Sequence, residues 1–303
     1  MITLGLCCIC NALRREGISF RTMTFARWQQ LPKRRRLNQL SQISLHNSRV
    51  VEAILKRLYL LGIAHYRISS SLFPLLTHPK IQLPLESLPD FAQIKNALKS
   101  AGTIARTHGI SLSMHPDQFV IPASDNPHVA EAALAELSLH GKILDLIGAP
   151  RSYAAPIHLH MGTSRGLDAL PVRFDRAWEH MPESVRRRLV FENEDKGFWS
   201  AKNLLAFLKP RKIPMTFDFL HNACNPSGVS QRALFLEAAQ TWGGFLPVFH
   251  YAESLSEKAP RAHAPFARHC PPDYKINYIC ELEAKGKDDA LIALRAAYPN
   301  RLR

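Results

Sequence analysis

The chain has 303 residues, and its 39 lysines and arginines outnumber 25 acidic residues to give a formal net charge of +14. This length fits one large α/β domain or two small ones, and no run of residues approaches the roughly 20 apolar positions of a membrane helix. The apolar N-terminus has no basic stretch ahead of it and no cleavage site, so we predict a first strand there and expect a cytoplasmic protein. So basic a chain favours a polyanionic partner, with nucleic acid as the leading candidate. Two dense basic runs, residues 33–36 and 186–188, are each more typical of a solvated surface than of a binding site.

Short apolar segments alternate with amphipathic segments along the whole chain. The predicted strands cover residues 2–9, 65–69, 111–115, 156–160, 189–193, 214–218, 247–250 and 277–283. The clearest predicted helices cover residues 45–61, 88–107, 127–147, 200–208 and 229–240. Apolar residues within 127–147 roughly follow the helical period of 3.6. Most connections are long enough for a crossover helix, which favours parallel strands.

Eight such units predict an α/β protein with a (β/α)8 TIM barrel, as a single domain over residues 1–303. An open, doubly wound sheet is the main alternative, but the Gly-x-Gly-x-x-Gly turn that it often carries is absent. The Gly-x-x-x-x-Gly-Lys-Ser/Thr loop is absent as well, so no nucleotide cofactor is expected.

Histidines and carboxylates stand at the ends of six predicted strands. They are His115, His160, Glu192, Asp218, His250 and Glu283, and His221 follows Asp218 by three residues. Because the carboxyl ends of barrel strands open onto one face, these side chains are expected to converge. Imidazole and carboxylate suit zinc, manganese and iron, whereas carboxylates buried together without cations repel one another. The pattern predicts a divalent metal centre. His158 and Glu281, each two residues earlier on its strand, share that face but lie deeper and are weaker candidates.

Several short segments are more specific than this general pattern. They are residues 4–8 (Leu-Gly-Leu-Cys-Cys), 66–70 (Tyr-Arg-Ile-Ser-Ser), 112–116 (Leu-Ser-Met-His-Pro), 159–162 (Leu-His-Met-Gly), 191–195 (Phe-Glu-Asn-Glu-Asp), Asp218 with His221 and Asn225-Pro226, and 283–287 (Glu-Ala-Lys-Gly-Lys). Together they resemble the UV damage endonuclease family over nearly the whole chain. The resemblance implies a (β/α)8 barrel with two or three divalent ions, usually Mn²⁺. It implies a DNA repair hydrolase that nicks double-stranded DNA on the 5′ side of UV photoproducts.

The resemblance also assigns ligands to the ions, with Glu192 as a catalytic residue that bridges two of them. The remaining ligands are Asp218, His250 and Glu283 for the first ion, His115 and His160 for the second, and His221 and His263 for the third. One departure concerns Val248, which stands where some members have a lysine that can be carbamylated near the metals. The third ion is therefore the least secure part of this assignment.

The same resemblance implies a surface that reads damaged DNA. Gln118 and Phe119 match a pair that probes the duplex opposite an extruded lesion, a form of base flipping. Phe119 replaces the more frequent tyrosine, which keeps stacking but removes a hydroxyl hydrogen bond. Arg67 and Asn11 are predicted to contact DNA in the same region. A damaged step is easier to kink and unpair, so recognition is expected to depend on deformability.

Lys285 and Lys287 are predicted to assist catalysis by contacting phosphate, although a solvated loop explains both lysines equally well.

The closest alternative function is a general apurinic-site endonuclease of the same barrel type. A metal-dependent sugar isomerase could use the same ligands, but it would not explain the charge or the pair Gln118 and Phe119. A non-catalytic DNA-binding protein would explain the charge but not the ligands. We expect the enzyme to act as a monomer.

Overall fold

Eight parallel strands form the centre of the structure, a computed structural model that describes residues 1–303. These strands are β1 (Ile2–Cys7), β2 (His65–Ile68), β3 (Ser111–Met114), β4 (Ile157–His160), β5 (Leu189–Glu192), β6 (Met215–Thr216), β7 (Val248–Tyr251) and β10 (Tyr278–Leu282). Their order in the sheet is β6-β5-β4-β3-β2-β1-β10-β7. An antiparallel hairpin of β8 (Ser254–Ser256) and β9 (Ala259–His263) follows β7 and was not predicted.

The gap between β6 and β7 is closed just beyond the end of β6. Asp218 and His250 form a parallel bridge, and the backbone N–H of His250 donates to the carbonyl oxygen of Phe217 at 3.1 Å. Outside this seam, the ring of Phe235 packs against those of Phe217 and Phe249, with centroids 6.0 and 5.0 Å away. The eight strands therefore form a nearly closed barrel, and the predicted (β/α)8 fold is confirmed.

Helices surround the barrel and connect its strands. They are α1 (Asn11–Arg15), α2 (Phe25–Gln30), α3 (Lys33–Leu61), α4 (Phe91–Thr107), α5 (Pro127–Ile147), α6 (Leu170–His180), α7 (Glu183–Arg186), α8 (Ala201–Leu208), α9 (Phe219–Cys224), α10 (Gln231–Gln240) and α11 (Lys287–Ala297). A single cluster of 71 buried hydrophobic residues fills the space within and around the sheet. None of the helices combines the length and the apolar character that crossing a membrane requires.

Local sequence explains why some helix bounds were predictable. Helix α5 begins after Asn126, whose side chain accepts the N–H of His128, and it ends at Gly148 in the left-handed conformation with φ of 77°. These are favourable caps at both ends, and the observed bounds match the predicted ones. Helix α3 begins at Lys33, well before the predicted start at residue 45. Its first turns are too polar to show a periodic apolar face, so the sequence pattern did not reveal them.

The two basic runs have different environments. Residues 33–36 form the first turn of α3 and are largely exposed. The prediction of a solvated surface is wrong for Arg188, which is completely buried next to the start of β5. Its guanidinium pairs with Asp145 at 2.8 Å and donates to the carbonyl oxygens of Ala149 and Pro150 at 2.7 and 2.9 Å. A buried arginine needs such partners to compensate its lost hydration, so Arg188 has a structural role.

Gly102 allows α4 to cross the end of α5 at close range. A Cβ atom at Gly102 would lie 1.7 Å from the carbonyl oxygen of Ile147, so the helices would have to separate. Alanine ordinarily favours a helix by about 1 kcal/mol over glycine, but this contact should outweigh that gain. We predict that Gly102→Ala lowers the free energy of unfolding by roughly 1–3 kcal/mol in urea denaturation. Gln93→Ala on the exposed side of α4 is the control, and equal stability of both variants would contradict the prediction.

Candidate metal centre

The carboxylate of Glu192 lies at the end of β5 and is almost completely buried. Its oxygen Oε2 lies 3.0 Å from Nε2 of His115 and 2.6 Å from Nδ1 of His250. Its oxygen Oε1 lies 3.1 Å from Nε2 of His160 and 3.3 Å from Nδ1 of His221. Four imidazoles from different parts of the chain therefore surround one carboxylate.

The hydrogen bonds of His115 show that this arrangement calls for a cation. Nδ1 of His115 lies 2.8 Å from the carbonyl oxygen of Pro116, so Nδ1 must carry the proton that it donates. In a neutral imidazole, Nε2 would then direct a lone pair at the carboxylate of Glu192. Either a second proton on the ring or a metal ion between the two groups removes that repulsion. The donor set of imidazole nitrogen and carboxylate oxygen fits a divalent metal.

Asp218 and His221 stand on the next loop around the barrel. Asp218 caps α9 by accepting the N–H of His221 at 2.6 Å, which places both residues at the mouth of the barrel. Asn193 donates to the carbonyl oxygen of Asp218 at 3.0 Å and fixes this loop to the end of β5. The second carboxylate oxygen of Asp218, Oδ2, is buried without a hydrogen-bond partner. An unpartnered, buried oxygen next to Glu192 is a second feature that suits a metal ion.

Burial and charge together set the protonation states of the centre. Burial lowers the pKa of His160 to about 4, so this imidazole is neutral at pH 7, as a metal ligand must be. Burial alone would raise the pKa of Glu192, but its contacts with the imidazoles of His160, His250 and His115 hold that pKa well below its ordinary value. Burial raises the pKa of Asp218.

Three groups of side chains have ligand atoms within 4.8 Å of one another. The groups are His115 with His160 and Glu192, Glu192 with Asp218 and His221, and His158 with His250 and Glu281. The first contains the ligands predicted for the second ion. In the second, His221 lies with Asp218 rather than with His263. Glu192 belongs to both of these groups, which is the arrangement expected of a bridging ligand.

The predicted ligands Glu283 and His263 lie at the edge of this cluster. Nδ1 of His250 is 3.8 Å from Glu283, and its Nε2 is 3.0 Å from the deeper carboxylate of Glu281. His263, at the end of strand β9, has Nδ1 at 3.7 Å from Glu283. The structure thus places Glu283 between His250 and His263.

Arg67 lies inside the site rather than on its surface. It is 9% exposed, and its guanidinium pairs with the carboxylates of both Glu281 and Glu283. These partners lie in β10 and just after it, more than 200 residues away in sequence, so sequence patterns could not reveal the pairing. The contact of Arg67 with DNA stays a prediction.

Gln118 and Phe119 lie in the loop that follows β3. Both are exposed, and the ring of Phe119 is 77% accessible, more than that of any other phenylalanine among the exposed hydrophobic residues. A single exposed apolar side chain is ordinary at a protein surface, so exposure alone assigns no role to Phe119. The pair stands three and four residues after His115, on the same loop as that predicted ligand.

Lys285, Lys287 and Asn11 meet at the loop after β10. Lys285 is exposed, and Lys287 begins α11 half-buried. The side-chain amide of Asn11 donates to the carbonyl oxygen of Gly286 at 3.1 Å, so Asn11 holds the loop that carries both lysines. The predicted contacts of these residues with DNA are not tested by this arrangement.

The whole chain is similar to known enzymes that act on damaged DNA. The family model described as UV-endonuclease UvdE matches residues 2–301. The UV DNA damage endonuclease of Bacillus mycoides strain KBAB4 is 32% identical over 292 residues, which cover 90% of this chain and 87% of that protein.

This chain belongs to the UV damage endonuclease family. Among solved structures, that of SacUVDE superposes with a TM-score of 0.82 and 25% identity, and the alignment covers 100% of both chains. Endonuclease IV of Thermus thermophilus has a TM-score of 0.56 at 17% identity, covering 81% of this chain and 93% of that one, which shows a shared barrel fold alone.

In this family member, buried polar residues form a layer beneath the predicted ligands. The strand-end pattern does not identify His65 or Ser113, and it favours Glu283 over Glu281. All three are completely buried and connected by hydrogen bonds. The available signal was the alternation of strands, since polar residues at inward positions of a barrel strand need partners.

Divalent metal should stabilise the folded chain through this centre, because ions that bind only the folded state add to its stability. We predict that Mn²⁺ raises the thermal unfolding midpoint of the wild type and that Glu192→Gln largely removes this rise. For each variant, the readout is the unfolding midpoint with Mn²⁺ minus the midpoint without it. An effect of the substitution on the stability of the metal-free protein therefore cancels. Glu237→Gln makes the same substitution at a surface pair with Lys209 and should keep the wild-type rise. An undiminished rise in Glu192→Gln would exclude Glu192 as a ligand.

Proposed function

We propose that this chain is a DNA repair enzyme that nicks double-stranded DNA on the 5′ side of UV photoproducts with two or three divalent ions, Mn²⁺ being the first candidate. It would act as a monomer in the cytoplasm. The observation that carries the proposal is the carboxylate of Glu192 within four imidazoles, in a member of the UV damage endonuclease family that exposes Phe119 on the same loop as His115.

The reaction is hydrolysis of a phosphodiester bond. Water forms a new bond to phosphorus in line with the bond that breaks, and the leaving 3′-oxygen takes a proton. When bound, the divalent ions would supply activation of the water and neutralisation of the phosphate charge. Glu192 would bridge two ions, and the donor sets around it are the ligands named in the resemblance: His115, His160, Asp218, His221, His250, His263 and Glu283.

The surroundings of the centre support a duplex as the substrate. The chain carries a net charge of +14, and that excess favours association with phosphates. Lys285 and Lys287 would contact phosphates next to the scissile bond, with their loop held by Asn11. Gln118 and Phe119 would enter the duplex opposite an extruded lesion. A sugar isomerase would have no use for this combination of charge and exposed ring.

Supercoiled plasmid irradiated with UV light provides the direct test. We expect nicking with Mn²⁺, none with a chelator, and much less on undamaged plasmid. Glu192→Gln should abolish nicking, because an uncharged amide cannot bridge two cations, while binding to the irradiated plasmid stays largely intact. Glu237→Gln is the matched control and should nick as the wild type does.

Two outcomes would contradict the proposal in different ways. Nicking by Glu192→Gln at the wild-type rate would refute the assignment of Glu192 to the metal centre. A chain that cuts plasmid with abasic sites but ignores UV-irradiated plasmid would be a general apurinic-site endonuclease instead.

The exposed ring of Phe119 should matter for damaged DNA and not for metal. Stacking of a base on an aromatic ring is worth roughly 1–3 kcal/mol, so Phe119→Ala should slow nicking of irradiated plasmid by about tenfold or more while Mn²⁺ binding is unchanged. Phe119→Tyr should retain activity because it keeps the ring. Phe245→Ala removes another exposed ring, from the loop that precedes β7, and serves as the control. Equal losses in the two alanine variants would rule out a lesion-reading role for Phe119.

A further inference from the structure

A buried layer of polar side chains lies one step deeper in the barrel than Glu192. Its members come from β2, β3, β4, β6, β7 and β10, and each is at most 9% exposed: His65, Arg67, Ser113, His158, Thr216, His250 and Glu281. Barrel interiors are ordinarily filled with branched apolar side chains. A polar layer at this depth is costly unless its groups satisfy one another.

Glu281 is the charged centre of this layer. Its oxygen Oε1 accepts hydrogen bonds from Nε2 of His65 at 2.9 Å and from the hydroxyl of Ser113. Its oxygen Oε2 lies 3.0 Å from the guanidinium of Arg67 and 3.0 Å from Nε2 of His250. A carboxylate offers about four lone-pair sites; three of them accept from His65, Ser113 and Arg67, and Nε2 of His250 faces the fourth. A metal ion on Glu281 would have to displace these donors, so the carboxylate is a hydrogen-bonding partner instead.

His250 connects this layer to the centre above it. Its two ring nitrogens face two carboxylates, with Nδ1 at 2.6 Å from Glu192 and Nε2 at 3.0 Å from Glu281. Both nitrogens are buried, and neither is aligned for a hydrogen bond in the protein alone. A neutral imidazole has one proton for two such neighbours. A proton on Nε2 leaves the lone pair of Nδ1 directed to the side where the ions would bind.

Strand register explains how the network reaches across the barrel. Glu281 is the register partner of His250 on one side and of Gly5 on the other, and Gly5 is the partner of His65. A Cβ atom at Gly5 would lie 2.5 Å from Cδ2 of His65. The imidazole of His65 therefore lies over a glycine and reaches from β2 across β1 to β10. Without that glycine, its hydrogen bond to Glu281 would be blocked.

We propose that Glu281 is a positioning residue that fixes the proton of His250 on Nε2 and thereby presents Nδ1 to a divalent ion at the Glu192 centre. Gly5 and His65 hold Glu281 in place. Carboxylate–histidine–metal arrangements of this kind orient the ring and raise its basicity. The inference rests on the proposed metal-dependent function and names the residues that build one of its ligands.

Arg67 balances the charge of Glu281 at this depth. Its guanidinium lies 3.0 Å from Oε2 of Glu281 and also pairs with Glu283, so one cation compensates the carboxylate on β10 and the one just beyond that strand.

Titration of the metal-free protein with Mn²⁺ in a calorimeter, without DNA, tests the proposal. In Glu281→Gln one oxygen becomes an NH₂ donor that must face either the pair His65 and Ser113 or the pair Arg67 and His250. We expect the dissociation constant for Mn²⁺ to rise by roughly 10- to 100-fold. Gly5→Ala should weaken binding in the same direction by displacing His65, and Glu237→Gln should bind as the wild type does.

A second measurement reads the position of the proton in the wild type itself. Nitrogen-15 NMR of histidine-labelled wild-type protein loaded with diamagnetic Zn²⁺ reports which ring nitrogen carries the proton, and His250→Gln identifies the signal. We expect Nε2–H for His250, with Nδ1 shifted by the metal. A proton on Nδ1, unchanged Mn²⁺ affinity in folded Glu281→Gln, or no binding of either ion by the wild type would each overturn the proposal.

The test separates this proposal from the proposed function. Weaker Mn²⁺ binding in Glu281→Gln, together with a wild type that does not nick irradiated plasmid, would leave the role of Glu281 standing and refute the substrate. Nicking of irradiated plasmid by the wild type, together with unchanged Mn²⁺ affinity in Glu281→Gln, would support the proposed function and refute the role of Glu281.

Discussion

The buried, ionised carboxylate of Glu192 is the feature on which the rest of the site depends. A carboxylate removed from water is tolerated only with positive or hydrogen-bonding partners. Those partners come from the end of β3, from β4, from the first turn of α9 and from β7, so no single segment can supply them. The barrel must close before the charge is compensated. It closes through the bridge between Asp218 and His250, so the seam of the fold is built from members of the site.

The interior beneath Glu192 continues this dependence. Glu281 repeats the arrangement one layer deeper, and His250 lies between the two carboxylates with one ring nitrogen toward each. Arg67 connects Glu281 to Glu283 at the rim. Because each partner is shared, removal of one group leaves another charge unpaired, and the two layers are expected to respond together. Side chains with several buried partners lose conformational freedom, which is what a preorganised site requires.

The sequence predicted the features that depend on strand position or on local contacts, and it missed those that depend on contacts between distant parts of the chain. Strand ends such as His115 and Glu192 were predictable because parallel strands in a barrel bring their carboxyl ends to one face, whatever the loops do. Helix α5 was predictable from its caps, Asn126 and Gly148, which are local. The hairpin β8–β9 is short and exposed and has no apolar period to detect. The pairing of Arg67 with Glu281 depends on register across three strands, which only the closed barrel determines.

Two features lie within a few residues of each other, and the proposed function would use both. The ring of Phe119 is left in water, and Nε2 of His115 faces the carboxylate of Glu192. One short loop connects them, and its start is fixed because His115 donates to the carbonyl oxygen of Pro116. With the proposed roles of Phe119 and His115, one anchored loop would keep a constant spacing between an extruded base and the bond to be cut. An enzyme that reads deformability rather than base identity needs that spacing, since no base contact would otherwise place the scissile phosphate.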